Sequence, residues 1–407
     1  MNRMLFTLAL RNVLRQKVRT AMTLTAIAFG VAGLILSGGF IKDIFVQLGE
    51  AIIHSQTGHI QIFEKDFLDK GRRKPEKYLI ADPAEVARQI ATIDAVEEVS
   101  ARLNFTGLLN NGRRDLAIIG EGIEAEKETR LGTYLSITEG RQLKDSDSFG
   151  LLAGQGVAHS LGLKPGDHVT LVLNTADGAL NSIELEVIGI FQSFSKDFDA
   201  RAIRIPLAAA RELLLTEGAD LLVVTLTSTE ATDEAYAKIG QQIGDGPLDT
   251  RHWRQLSDFY DKTIQLYDRQ FGVLEWIIMF MVLLSVVNSI NMSTFERQSE
   301  FGTLRALGNR PRDVFRMLMA EGLVLGVGGA SIGVLVGILI AAVVSAIGIP
   351  MPPPPNANVG YTAFIRIVPE ILAKAWLIGL VATVLAAMLP ARRTVKTPIV
   401  DALRQGV

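Results

Sequence analysis

The chain of 407 residues carries 41 lysines and arginines against 43 aspartates and glutamates, for a net charge of −2, and has no cysteine. Balanced charge gives no ground for nucleic-acid binding, and the missing cysteines exclude disulfides, thiolate metal sites and cysteine nucleophiles. A mean hydropathy of +0.28 over this length suits a membrane protein of several domains.

Residues 1–19 hold Arg3, Arg11, Arg15, Lys17 and Arg19 and no acid. Leu5, Leu8 and Val13 set against these cations predict a cytoplasmic amphipathic helix on the inner membrane surface. Four apolar runs follow: Thr20–Ile41, Trp276–Thr294, Gly322–Ile349 and Ile371–Ala391, with Lys374 their one charge. Each is close to or above the ~20 residues a helix needs to cross a bilayer. The first is too long for a signal peptide and no Ala-x-Ala site closes it, so it is expected to remain as an anchor.

Basic residues set the orientation. They crowd 1–19, the loop after the second run and the tail (Arg392, Arg393, Lys396, Arg404), while Pro350–Glu370 has Arg366 alone. Both termini and 296–316 are therefore expected in the cytoplasm, with Lys42–Gln270 and Pro350–Glu370 outside.

Ile44, Phe45, Leu48, Ile52 and Ile53 continue a helical spacing beyond the first run, and Leu256, Tyr260, Ile264, Tyr267 and Phe271 lead into the second. The two patterns predict a packed helical stalk, two separate surface helices being the alternative. Between them, 56–250 alternates strand and helix patterns and reads as an α+β domain, divisible into two subdomains near Glu121–Asp147. Its strands are expected at His59–Phe63, Val99–Leu109, Leu116–Gly120, Val169–Asn174, Ile183–Phe191 and Leu221–Thr227. Helices are expected at Pro83–Ile93, Pro206–Leu215 and Thr232–Ile243. In Leu151–Leu171 a helix should stop at Gly162, with a turn at Lys164–Asp167 and then a strand.

The segment Glu296–Arg316 lies between the second and third runs and carries Arg297, Arg305, Arg310, Arg312 and Arg316. Gly308-Asn309 should end one helix and Pro311 open the next, leaving a short basic amphipathic helix through which force can enter from the cytoplasm. In the third run Gly322, Gly326, Gly329, Gly333 and Gly337 put small residues on one face, where another helix can approach closely. Pro390 is expected to end the fourth run.

Chemistry is scarce. No Gly-x4-Gly-Lys-Ser/Thr loop occurs, so no nucleotide site of that kind is expected. Leu36-Ser37-Gly38-Gly39-Phe40 and Gly329-Ala330-Ser331-Ile332-Gly333 imitate an ATPase signature and a nucleophile elbow. Both sit inside apolar runs, without the strand–turn–helix context an elbow needs. His54, His59, His159, His168 and His252 form no metal-ligand spacing. Asn288 and Asn291 either bond across helices or lie near the cytoplasmic end of the second run.

After the second run the chain reads ERxxEFGxLRALG, spelt by Glu296, Arg297, Glu300, Phe301, Gly302, Leu304, Arg305, Ala306, Leu307 and Gly308. With Leu161–Leu171 and Pro398–Leu403, and one run, a large insertion and three further runs, the chain resembles the FtsX-like permeases of type VII ABC transporters, the family of LolC/LolE and MacB. The resemblance implies an integral membrane α-helical protein of four transmembrane helices, with a large α+β extracytoplasmic domain on a helical stalk between spans 1 and 2. It divides the chain into 1–19, span 1 with stalk (20–55), a MacB-like core (56–250), stalk with span 2 (251–295), a coupling segment (296–316), span 3 (317–349), a periplasmic loop (350–370), span 4 (371–391) and a cytoplasmic tail (392–407).

The same resemblance implies a non-enzymatic permease of the bacterial inner membrane. MacB carries an ATPase on its own chain; this sequence shows none and in that respect is similar to LolC/LolE or FtsX. A separate ABC ATPase dimer would supply ATP and Mg2+, seating Glu296–Gly308 in a groove. A second permease chain, identical or homologous, membrane lipids and a periplasmic carrier or adaptor are the other implied partners. The implied work is moving lipoprotein or other hydrophobic cargo on the periplasmic side. Activation of a cell-envelope partner such as a cell-wall hydrolase, or tripartite efflux, are the alternatives.

Overall fold

A computed structural model of the protein describes residues 9, 11–13, 15, 17–71, 77–131, 135–175, 178–244, 246–353, 358 and 360–404. Most of the expected 1–19 helix, Leu5 and Leu8 included, falls outside them. The chain divides into two compact units. One comprises Met1–Phe45, Thr263–Pro350 and Thr362–Val407; the other comprises Val46–Lys262 and Met351–Tyr361. The second unit is wider than the 56–250 expected, because both flanking helix ends and part of the 350–370 loop belong to it.

Helix α1 (Lys17–Ile52) runs for 36 residues and continues as a π-helical turn, Ile53–Thr57. At 1.5 Å per residue α1 is about 54 Å long, well beyond the ~30 Å of a bilayer's hydrocarbon. Gly58 stops it with φ 65°, and a Cβ there would lie 2.2 Å from Val223 Cγ1.

The chain then builds one ten-stranded sheet. In chain order come β1 (Ile60–Glu64), α2 (Pro83–Ile90), β2 (Val96–Asn110), β3 (Asp115–Ile123), α3 (Ala125–Leu131), β4 (Ser136–Gly140), β5 (Gly150–Gly154), α4 (Gln155–Leu161), β6 (His168–Asn174), β7 (Leu180–Gln192), β8 (Ala202–Pro206), α5 (Leu207–Leu214), β9 (Leu221–Leu226), α6 (Thr232–Ile243) and β10 (Leu248–His252). The strand order is β10-β1-β9-β2-β3-β8-β5-β7-β4, with β6 pairing β2 and β7. The sheet is continuous through β3, β8 and β5, so the expected division near Glu121–Asp147 does not interrupt it. Strands β5, β8 and β9 are buried at every residue, and the core gathers Ile62, Leu103, Leu151, Val187, Ile203 and Val224.

The LGLKPGD signal reads well: α4 ends at Gly162 (φ 68°), and Asp167 Oδ2 accepts from Lys164 N at 2.8 Å before β6 begins. Helix α5 ends at Leu215, which takes φ 56° without being glycine.

His59 ties the stability of this core to pH. Its Nδ1 accepts from Leu226 N at 3.2 Å, and Nε2 lies 3.1 Å from Thr229 Oγ1. Burial pushes its pKa down to about 4. The folded value lies below the unfolded one, so the stability tied to the neutral ring is full above pH 6.5 and lost as pH falls toward 4. That loss amounts to at most about 3 kcal/mol. Burial pushes Asp220 the other way, up to about 7, and its proton uptake over the same range is enough to offset a loss of that size. The difference between wild type and His59→Asn cancels Asp220. Urea unfolding at pH 7 and 4.5 should give a smaller acid loss in the variant; equal losses refute the assignment.

Helix α7 (Asp258–Glu296) spans 39 residues, and α8 (Gln298–Ala306) follows as a separate short helix. Helix α9 (Pro311–Ile347) opens at a proline and stops at Gly348, φ 74°, two residues earlier than expected. Short strands β11 (Ile349–Met351) and β12 (Tyr361–Ala363) pair next. Helix α10 (Pro369–Lys396) contains Pro390 within it rather than ending there, and α11 (Ile399–Arg404) closes the described chain. Pro390 lacks the N–H that would reach back one turn and its ring crowds the carbonyl of Ala386, yet the helix continues through it with Pro390 buried.

Helices α1, α7, α9 and α10 are long and apolar enough to cross a membrane. Within the first unit α1 and α7 lie close along their lengths. Thr23 and Ser289 share a hydrogen bond, Phe45 meets Tyr267 edge-on at 6.1 Å, and a Cβ on Gly30 would stand 2.2 Å from Val282. Within the second unit, Trp253 packs on Gly49 and, at 4.7 Å between rings, on Tyr260.

Candidate functional site

Helix α8 is set off by two breaks. Arg297 leaves the helical region (φ −99°, ψ 11°), and Gly308 turns left-handed at φ 100°. Arg310 N then donates to Asp313 Oδ2 at 3.2 Å, opening α9 at Pro311. The apolar side of α8 is anchored by Phe301, 2% exposed, against Val314, Leu318 and Ala391. Helix α8 also packs on α11.

Its charges are tied to the spans. Arg297 Nη1 donates to both Glu321 oxygens, at 3.1 and 3.0 Å, and Nε reaches Glu300 Oε2 at 3.1 Å. The same guanidinium lies 5.1 Å over the Phe301 ring. Glu321 also accepts from Asn12 Nδ2 at 2.7 Å. Arg19 grips Glu296 with both terminal nitrogens, one at 2.6 Å. Arg305 Nη1 donates to Thr397 O at 2.6 Å. A polar cavity of about 40 Å³ lies behind this network, walled by Asn12, Thr23, Ser289, Ser293, Arg297 and Glu321.

The ten coupling candidates therefore separate. Arg297, Phe301 and Gly302 turn inward; Glu296 and Arg305 are engaged by Arg19 and Thr397; Leu304 is half-buried. Ala306, Leu307, Gly308 and Glu300 face outward, with Leu307 80% exposed. Behind that outer side α8 is tied to α9 through Arg297–Glu321 and to the end of α10 through Arg305.

The glycine stripe serves two neighbours rather than one. A Cβ at Gly322 or Gly326 would meet Ala387, Leu380 and Thr383 of α10, whereas one at Gly329, Gly333 or Gly337 would meet Ile27, Val31 and Ile35 of α1. Ser331 of the elbow-like sequence accepts from Trp376 Nε1 at 3.2 Å in mid-helix. In the other lookalike, Gly39 lets the extended chain approach: Arg366 N donates to Gly39 O at 3.2 Å, and a Cβ would sit 2.6 Å from Arg366 O. Asn288 and Asn291 border an open groove of about 370 Å³ with Gln298, Arg393 and Thr397, and neither side chain bonds across helices among the described residues.

Sequence patterns missed Glu321, Asn12 and Asp43. The third run begins at Gly322, one residue past Glu321. Asp43, just beyond the first run, is 0% exposed and accepts from Phe364 N and Arg366 Nε, both at 2.8 Å. Carboxylates within two residues of an apolar run were the available signal. No group of three His, Cys, Asp or Glu suited to a metal occurs among the described residues.

Four spanning helices, a sheet domain inserted after the first and a tethered helix after the second define a membrane permease. Residues 20–242 match the MacB-like periplasmic core domain and residues 272–399 the FtsX-like permease C-terminal family. The chain is 23% identical over 332 residues to the lipoprotein-releasing system transmembrane protein LolC of Neisseria meningitidis, covering 79% of this chain and 76% of that one. It is 22% identical to an uncharacterized ABC transporter permease of Methanocaldococcus jannaschii, over 98% of this chain and 97% of that one. It is 24% identical to the macrolide export ATP-binding/permease protein MacB of Escherichia coli, over 98% of this chain and 60% of that longer one. The chain belongs to the FtsX-like permeases of type VII ABC transporters. Its role is that of an ABC transporter permease working with an ATPase partner.

Proposed function

We propose that this permease transmits force between a separate cytoplasmic ABC ATPase dimer and a periplasmic domain, moving lipoprotein or another hydrophobic cargo outside the inner membrane. ATP and Mg2+ act on the partner. A second permease chain, identical or homologous, completes the assembly, and a periplasmic carrier or adaptor receives the cargo. The observation that carries this reading is α8, which offers Ala306, Leu307 and Gly308 outward while Arg297 and Arg305 bind it to the spans behind. The spans supply small-residue packing rather than a polar route, so cargo is handled at the outer surface. The LolC relative, named for a lipoprotein-releasing system, supports the choice of cargo.

Glu300 is exposed and adjoins the outward side of α8. The protein purified from membranes should bring with it an ABC ATPase, identified by its own nucleotide motifs. Glu300→Lys should reduce that capture about tenfold while the permease stays inserted. Equal capture by the variant, or no ATPase with wild type, defeats the assignment.

A further inference from the structure

The last turn of α1 is held in an unusual way. A helix end leaves its final carbonyls without backbone donors and carries partial negative charge. Here Ile53 O accepts from Gly58 N at 2.9 Å and Thr57 O from Gln61 Nε2 at 3.0 Å. Of the three carbonyls between them, those of Ser55 and Gln56 accept from buried arginines of the sheet. Arg204 Nη2 donates to Ser55 O at 3.2 Å, and Arg102 Nη1 donates to Gln56 O at 2.5 Å.

Both arginine side chains are 3% exposed. Arg102 lies on β2 and Arg204 on β8, the two neighbours of β3. Each is aimed by a carboxylate. Glu128 takes Arg102 through both oxygens, at 2.6 and 2.7 Å, and Ser100 Oγ donates to it at 3.1 Å. Glu121 of β3, paired with Arg204 in register, accepts from its Nε at 2.8 Å. A fork-shaped guanidinium can hold a carboxylate on one side and a carbonyl on the other; an ammonium does not fix that geometry. A structural core seldom places two charged pairs here, since apolar side chains of similar volume hold a sheet as well. The interior charge is spent on the helix end.

We infer that Arg102 and Arg204 are positioning residues that seat the π-helical end of α1 on the central strands, so that helix end and sheet move as one body. This deepens the proposed function, on which it rests: displacement of α1 would be delivered to β2 and β8 rather than lost in a flexible joint. The geometry of the joint is independent of cargo and of the ATPase.

The test is hydrogen–deuterium exchange on the full-length chain in lipid nanodiscs, comparing wild type with Arg204→Gln and the milder Arg102→Lys. Amides of 54–60 should exchange at least tenfold faster in Arg204→Gln and to a lesser degree in Arg102→Lys, with β5 and β7 unchanged. Faster exchange spread evenly over the sheet would reduce the arginines to core residues, and unchanged exchange at 54–60 would remove the clamp; either overturns the inference. In the complex with its co-purified ATPase, trapping ATP should alter exchange in β2 and β8 of wild type but not of Arg204→Gln. An ATP response equal in both proteins overturns the positioning role and leaves the permease reading intact, whereas no response in wild type counts against that reading.

Discussion

Glu321→Ala leaves Arg297 without its principal partner, and α8 should come away from α9. Both side chains are 12% exposed. Removing one member of a buried pair costs about 3–5 kcal/mol because the other charge stays uncompensated. The loss should appear in function more than in insertion, since the apolar spans are untouched. ATP hydrolysis by the co-purified ATPase should no longer respond to the permease, and limited proteolysis should open 297–310. The exchange Arg297→Glu with Glu321→Arg should recover part of both properties. A Glu321→Ala protein with wild-type response and protection would show that the pair does not bind α8 to α9.

Glu128→Gln should have the largest effect on the sheet unit. Glu128 is 1% exposed on its side chain. Burial raises its pKa, but the charge of Arg102 outweighs that, and the carboxyl is held below its ordinary value. Its stabilising contribution is thus present above the unfolded pKa and lost as pH falls through the lowered folded value. Glutamine keeps the shape, loses the charge and strands Arg102, for about 3–5 kcal/mol. At about 2–4 °C per kcal/mol for a domain of this size, unfolding should fall by roughly 10 °C in calorimetry. Glu85→Gln, which breaks the exposed contact to Arg88 at 2.5 Å, should stay within about 1 kcal/mol. Equal shifts in the two variants would remove the distinction between buried and surface pairs.

The four spans were legible because length and hydropathy state them directly. The break after α8 was legible because Gly308 and Pro311 allow few alternatives; the one before it, at Arg297, has no glycine or proline to mark it and was not. Strands β2, β3, β6, β7 and β9 announced themselves through β-branched and aromatic residues. Strands β5 and β8 did not: β5 has glycine at both ends and only three apolar residues between them, and Arg204 interrupts the apolar pattern of β8 where its charge is used. Glu321 escaped for a related reason. A hydropathy window stops at a charge, whereas a helix with a buried partner for that charge continues through it. The continuity of the sheet past Glu121 depends on β3 pairing in parallel with β8, a long-range choice that local pattern does not encode.

The glycines of α9 also govern the order in which the protein is made. Ile27, Val31 and Ile35 of α1 fit against Gly329, Gly333 and Gly337, about 300 residues later in the chain. At 5–20 residues per second, α1 waits roughly 15–60 s in the bilayer before that surface is synthesised. Throughout that interval its packing face is turned to lipid, while the sheet domain is already complete enough to fold. Biogenesis therefore finishes at the membrane last, and a chain arrested before α9 would display a folded domain on an unclosed bundle.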